Sequence, residues 1–211
     1  MYWFTVCTTN DTPVPTPYAT HLKDEAAMQK ALIILGTETK AFSGGQFNRG
    51  LFDMAVEMLS TKYEVTTTII EEGYDVDEEI AKFKAADVVI YQYPIYWFMP
   101  PSAMKLYLDE VYRFGDFFGF TDGPYGSGGM MQGKKLMLST TWNSPKENFG
   151  DEDGFYRGKS MEDMLLPIIK SHEYCGFEVL PLFSSHDVVK NADYASDASR
   201  YAEHLKKTFD L

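Results

Sequence analysis

The sequence predicts an α/β protein, a doubly wound parallel sheet of five strands in the order 2-1-3-4-5. Three observations carry that reading. Short apolar runs alternate with segments of helical spacing from Ala31 onward. The first run, Ala31 to Leu35, is apolar throughout and stops at Gly36, as a strand buried on both faces does. Right-handed crossovers then leave few strand orders for such a chain.

Phe47, Leu51, Met54, Ala55, Met58 and Leu59 form one apolar helical face after the first strand. Tyr63 to Ile70 is β-branched and aromatic, a second strand. Asp75 with Glu78 resembles a capping box, and Val76, Ile80 and Phe83 stripe the helix that follows. Strand three is Asp87 to Tyr93, and Pro100-Pro101 opens a helix that runs through Tyr112. Arg113 to Gly133 has no period and reads as a long functional loop. Lys135 to Trp142 is strand four, Met161 to Tyr174 a helix locally broken at Pro167, and Phe177 to Phe183 strand five. Tyr194 to Phe209 closes the chain. Residues 1–30 form an N-terminal extension to which no role is assigned, and residues 31–211 a single domain.

The 211 residues carry a net charge of −12, which disfavours nucleic-acid backbones and anionic membranes as partners. No apolar run approaches the roughly 18–20 residues a membrane span needs, so membrane insertion is not expected. Cys7 and Cys175 stand alone, without CxxC spacing, which favours a reduced, cytoplasmic setting. The opening Met-Tyr-Trp-Phe lacks a basic start and does not read as a signal peptide.

The segment Tyr91 to Phe98 is the most informative. A core strand empties there into a loop carrying Tyr91, Tyr93, Tyr96, Trp97 and Phe98, at the carboxyl edge where open parallel sheets bind ligands. Aromatic groups exposed there would be covered by a flat apolar ligand, and a tricyclic flavin ring suits them. The first βα turn adds Ser43, placed to cap the next helix, with Gly44 and Gly45 letting the backbone approach an anion. It is neither a P-loop nor a GxGxxG turn. Thr140 to Pro145 ends strand four beside it, and Tyr125 to Gly129 is expected on the same edge. Other chemistries fail on spacing. His172-Glu173 lacks the second His of HExxH, the four histidines form no metal site, and Ser127 is not in a GxSxG elbow.

Taken together, Ser43 to Asn48, Tyr125 to Lys135, Thr141 to Pro145 and Gln92 to Phe98 resemble a known family. It is that of the flavodoxin-like NADPH:quinone reductases of the "modulator of drug activity B" type, related more distantly to DT-diaphorase. The resemblance implies a flavodoxin-like fold and an FAD-binding homodimer that reduces quinones with NADPH by a two-electron route. It implies FAD pyrophosphate and adenylate contacts at Ser43, Gly44, Gly45, Gln46, Phe47, Asn48, Arg49 and Gly50. Ile95, Tyr96, Trp97 and Phe98 would line the ring and ribityl chain, and Thr141, Trp142, Asn143 and Ser144 the ring edge. Tyr125 would touch FAD across the dimer. Where DT-diaphorases carry a His before a Gly, this chain has Tyr156-Arg157-Gly158, so Tyr156 and Arg157 are the candidates beside the quinone oxygen. Thr37 and Thr39 match instead the hydroxyl-rich FMN loop of flavodoxins, which leaves an FMN electron carrier as one alternative. A regulatory flavoprotein subunit of a potassium-efflux transporter is another.

Overall fold

The computed structural model describes residues 28–41 and 44–211. The extension up to Ala27, with Cys7, and the Ser43 cap lie outside the described residues. In chain order the elements are β1 (Lys30–Leu35), α1 (Gln46–Leu59), β2 (Glu64–Ile69), α2 (Val76–Ala85), β3 (Val88–Pro94), α3 (Ser102–Val111), β4 (Lys135–Thr141), α4 (Met161–Tyr174), β5 (Glu178–Val179), β6 (Phe183–Ser185) and α5 (Tyr194–Phe209). All strand pairs are parallel, in the order β2-β1-β3-β4-β5. The register sets Leu35 opposite Gln92, and Tyr93 opposite Thr140. The carboxyl ends of β1, β3 and β4 therefore form one rim.

Alternation along the strands divides the core in two. Leu32, Ile34, Val89, Tyr91 and Tyr93 face α2, α3 and α4; Ala31, Ile33, Leu35, Val88 and Ile90 face α1 and α5. Each fully buried Leu, Ile or Val contributes about 1.5–3 kcal/mol. The helix starts follow their local chemistry. The Asp75 carboxylate accepts from the Asp77 and Glu78 amides at 3.0 Å, capping α2. Ser160 and Asp163 form a full capping box at α4.

Three expectations need correction. Strand five is two short strands, because Pro181 has no N–H to give the ladder; β5 and β6 pair with β4 on either side of that break. Helix α4 runs unbroken through Pro167, whose carbonyl accepts from the Ser171 hydroxyl at 2.9 Å. Tyr91 and Tyr93 are not loop aromatics; they lie in β3 and are fully buried in the α3–α4 core.

Candidate functional site

The rim is built on two turns and a helix start. Beyond Pro94, the Ile95 amide donates to the Thr141 carbonyl at 2.9 Å, which continues the β3–β4 pairing by one residue. Tyr96 and Met99 then exchange two backbone hydrogen bonds, at 2.9 and 3.0 Å. The two residues between them, Trp97 and Phe98, have φ of 51° and 67°. Two successive left-handed residues make a mirror-image hairpin turn that normally selects Asn-Gly. Holding bulky aromatics there costs of order 1–3 kcal/mol each, and strain of that kind concentrates at functional sites. Among the described residues nothing accepts from the Trp97 and Phe98 amides. Trp97 is 91% exposed and Phe98 40%.

Helix α1 begins directly across β1. Its N-cap is Gly45, at φ 69°, with no side-chain cap and no acid in the first turn. The first-turn amides of Gln46, Phe47 and Asn48 have no intrahelical acceptor, and the helix dipole adds partial positive charge. That is an anion site in a chain of net charge −12. Arg49 pairs with Asp53 at 2.9 Å instead of reaching the rim. Gly50 is where α1 meets α5, since a Cβ there would lie 2.3 Å from the Tyr194 hydroxyl. Asn48 is buried and bonded at both amide atoms: its Nδ2 donates to Thr141 Oγ1 at 2.9 Å and its Oδ1 accepts from Gln92 Nε2 at 2.8 Å. It ties the start of α1 to the ends of β3 and β4.

In the β4 segment, Trp142 is 2% exposed. Its indole donates to Thr140 Oγ1 and its amide to the Ser185 carbonyl, both at 2.9 Å, so it underlies the rim and does not wall it. Asn143 is exposed, and Ser144 Oγ accepts from Asn148 at 3.1 Å. The loop before α4 returns to the same place. Phe155 stacks on Phe98 at 5.9 Å, and Tyr156 meets Phe98 edge-on at 6.1 Å while stacking on Phe149 at 4.5 Å. Arg157, also left-handed with φ 51°, is exposed and has no ion-pair partner among the described residues. The structure thus brings Phe155 and Tyr156 to the Trp97–Phe98 turn, with Arg157 next in the chain.

Tyr125 is elsewhere, which corrects the expectation that three segments meet on one edge. Its loop is held by Met131, whose amide donates to the Cys175 carbonyl at 2.8 Å beyond the end of α4. This places it toward the amino ends of the strands. Tyr125 is 96% exposed, with its ring 5.5 Å from Tyr174, over an α3–α4 groove of about 750 Å³.

Sequence reasoning missed Glu38 and Gln92. Glu38 caps α3 from the first βα turn, accepting from the Ala103 amide and from Ser102 Oγ at 2.6 Å, and it pairs with Lys40 at 2.5 Å. Burial pushes its carboxyl up, but the bonds from Lys40, Ser102 and Ala103 outweigh that and hold it at about 2. Gln92 Oε1 is buried at the rim without a partner among the described residues. A lone amide inside an otherwise apolar strand was its only signal. Among the described residues no group of His, Cys, Asp and Glu is placed to hold a metal ion, and no helix is long and apolar enough to cross a membrane.

Comparison with known proteins agrees with this geometry. The family described as "flavodoxin-like fold" matches residues 29–209. NADPH:quinone oxidoreductase MdaB of Haemophilus influenzae is 38% identical over 189 residues, 84% of this chain and 98% of that one. A quinone-reductase candidate from Klebsiella pneumoniae superposes with a TM-score of 0.72 at 25% identity, covering 85% of this chain and 84% of its own. General stress protein 14 of Treponema denticola, solved with FMN, reaches 0.68 at 24% identity over 85% of this chain and 99% of its own. An open helix start, a strained aromatic turn and the end of β4 meet at the switch between β1 and β3, as the fold's ligand rule requires. The chain belongs to the flavodoxin-like fold family, among relatives of the MdaB-type NADPH:quinone oxidoreductases.

Proposed function

We propose that this chain is a cytoplasmic NAD(P)H:quinone oxidoreductase that holds FAD along the rim and works as a homodimer. The observation that carries the reading is the Trp97–Phe98 turn: an exposed aromatic pair, held in strained backbone, with two amides that have no acceptor among the described residues. When bound, the flavin would take a hydride from NADPH and pass it to a quinone, and the protein supplies geometry and charge. Ile95, Tyr96, Trp97 and Phe98 would line the ring, with Thr141, Asn143 and Ser144 along its edge above the buried Trp142. The amides of Trp97 and Phe98 would stabilise negative charge there; a single donor of this kind contributes roughly 3 kcal/mol in oxyanion sites. The start of α1, from Ser43 to Gly50, would take the pyrophosphate and adenylate. Tyr156 and Arg157 would orient the quinone and offer a proton and a positive charge to its oxygen.

Acidic groups around the first βα turn, Glu38 within it and Glu71 after β2, favour FAD over FMN. The Thr39 amide and hydroxyl both donate to the Glu71 carboxylate, at 3.0 and 2.9 Å, and Glu38 stands nearby. A terminal phosphate bound in the flavodoxin manner at Thr37 and Thr39 would meet two carboxylates. Dimerisation is supported by the α3–α4 face, where Leu106, Leu166, Phe120 and Tyr125 are exposed. A two-fold contact through that face, with the copies reversed, would carry Tyr125 of one copy toward the rim of the other.

The test is the freshly purified protein. A yellow spectrum, FAD released on denaturation, NADPH oxidation with menadione and a dimeric mass in solution are expected. Bound flavin without quinone-dependent NADPH oxidation would overturn the enzyme reading. Released FMN, with two resolved one-electron steps on reductive titration, would favour the electron carrier that Thr37 and the FMN-bearing relative suggest.

A further inference from the structure

A second cavity, of about 430 Å³, lies between β6, the start of α4 and α5. Its polar lining is unusual for a chain with 31 acidic residues against 19 basic ones. Lys146, Arg200, His186 and His204 converge there, and Glu162 is the one carboxylate in the lining. Arg200 is held in place. It donates to the Ser184 carbonyl at 3.0 Å and to Asp197, and it lies over the Phe183 ring at 5.1 Å. Those contacts leave guanidinium donors over. His186 is set by Ser184 Oγ at 2.8 Å and His204 by the Pro181 carbonyl at 3.0 Å. The capping box consumes the Ser160 and Asp163 amides, while those of Met161 and Glu162, on the cavity wall, have no acceptor among the described residues. Phe149, Phe183 and Leu182 make the remaining walls apolar.

We propose that this cavity binds a phosphate monoester. Lys146, the spare donors of Arg200 and two outward amides suit a compact dianion, the two imidazoles border it, and the aromatic walls suit the sugar or ring that carries it. A phosphate already on the dinucleotide could reach it. Phe98, Tyr156, Phe149 and His186 succeed one another at centroid distances of 6.1, 4.5 and 5.3 Å, so a continuous aromatic path joins the rim to the cavity. The 2′-phosphate of NADPH is then one source and a separate phosphate ester the other. Only the first rests on the oxidoreductase reading.

The experiment is an NMR titration of the His186 and His204 ring signals in the flavin-loaded protein, using inorganic phosphate, 2′-AMP, adenosine and sodium chloride at matched ionic strength. Saturable shifts with phosphate and 2′-AMP, absent with adenosine and chloride, are expected. Lys146→Gln, an exposed change that leaves packing alone, should weaken both by about threefold, and Lys146→Gln with Arg200→Gln by about tenfold or more. If the double variant also raises KM for NADPH about tenfold and spares NADH, the dinucleotide is the source. Phosphate shifts with an unchanged NADPH to NADH ratio assign the cavity to a separate phosphate ester. Equal responses to phosphate and chloride overturn the proposal. The titration needs no turnover, so an inactive protein would sink the oxidoreductase reading and leave this one standing.

Discussion

Gln92 donates its side-chain amide to Asn48 at 2.8 Å, joining the carboxyl end of β3 to the first turn of α1 beneath the rim. Asn48 passes the bond on to Thr141 at 2.9 Å, so a single side chain registers all three walls of the site. Asn48→Ala leaves the Gln92 amide and the Thr141 hydroxyl buried with lost partners. The expected loss is about 2–4 kcal/mol, or roughly 5–15 °C in Tm for a chain of this size, with weaker flavin retention. Thermal unfolding of apo and flavin-loaded protein measures both; a change under about 1 kcal/mol would show that the bonds do not brace the rim.

Trp97→Gly separates strain from function. Glycine accepts φ of 51° freely, so the apoprotein should hold its stability or gain up to about 1–2 kcal/mol. Flavin retention should fall, because the exposed indole and its apolar surface are gone. Equilibrium dialysis gives the affinity and thermal melts the stability. If both fall together, the turn is a structural element and not a ligand platform.

Tyr156→Phe keeps the ring stacked on Phe149 at 4.5 Å and removes only the hydroxyl. Melting temperature and flavin affinity should stay put while kcat with a quinone drops by about 10²-fold, in the range of a lost proton donor. Arg157→Gln should lower kcat with a smaller effect on KM. Unchanged turnover in both variants would remove these residues from the chemistry.

His172 makes stability depend on pH. It is fully buried, and burial pushes its pKa from 6.5 to about 3, with Nδ1 bonded to the Tyr112 hydroxyl at 2.9 Å. Between those values the unfolded chain holds the extra proton, so protonation favours unfolding. The contribution is complete above pH 6.5 and is lost as pH falls toward 3, with a slope of about 1.4 kcal/mol per pH unit. Glu38 adds a second loss lower down, between 4.5 and about 2. Denaturant unfolding of wild type and His172→Phe from pH 7 to pH 4 should give a flatter curve for the variant. Parallel curves would mean that His172 takes up its proton inside the fold.

The sheet was readable because β1 and the first halves of β3 and β4 are apolar runs, and two-sided burial permits little else there. The reading failed where composition alone separated strand from loop. Tyr91 and Tyr93 looked like surface aromatics, yet β3 extends to Pro94 and buries them against α3 and α4. Trp142 misled in the same way, since a hydroxyl two residues back satisfies its indole beneath the rim. That Trp97 and Phe98 lie exposed at the rim was legible, but their left-handed backbone was not, because nothing in Trp-Phe signals a turn that Asn-Gly usually makes. Tyr125 was placed on the wrong edge because a glycine-rich loop carries no record of where its ends are anchored.

The proline that divides the fifth strand also shapes how the molecule meets its neighbours. An outermost strand of ordinary length would offer a ladder of bare peptide groups on which another chain could extend the sheet. Here that border is cut into pieces of two and three residues, and Pro181 cannot donate to an incoming strand. Growth by strand addition is therefore disfavoured along this side of the sheet.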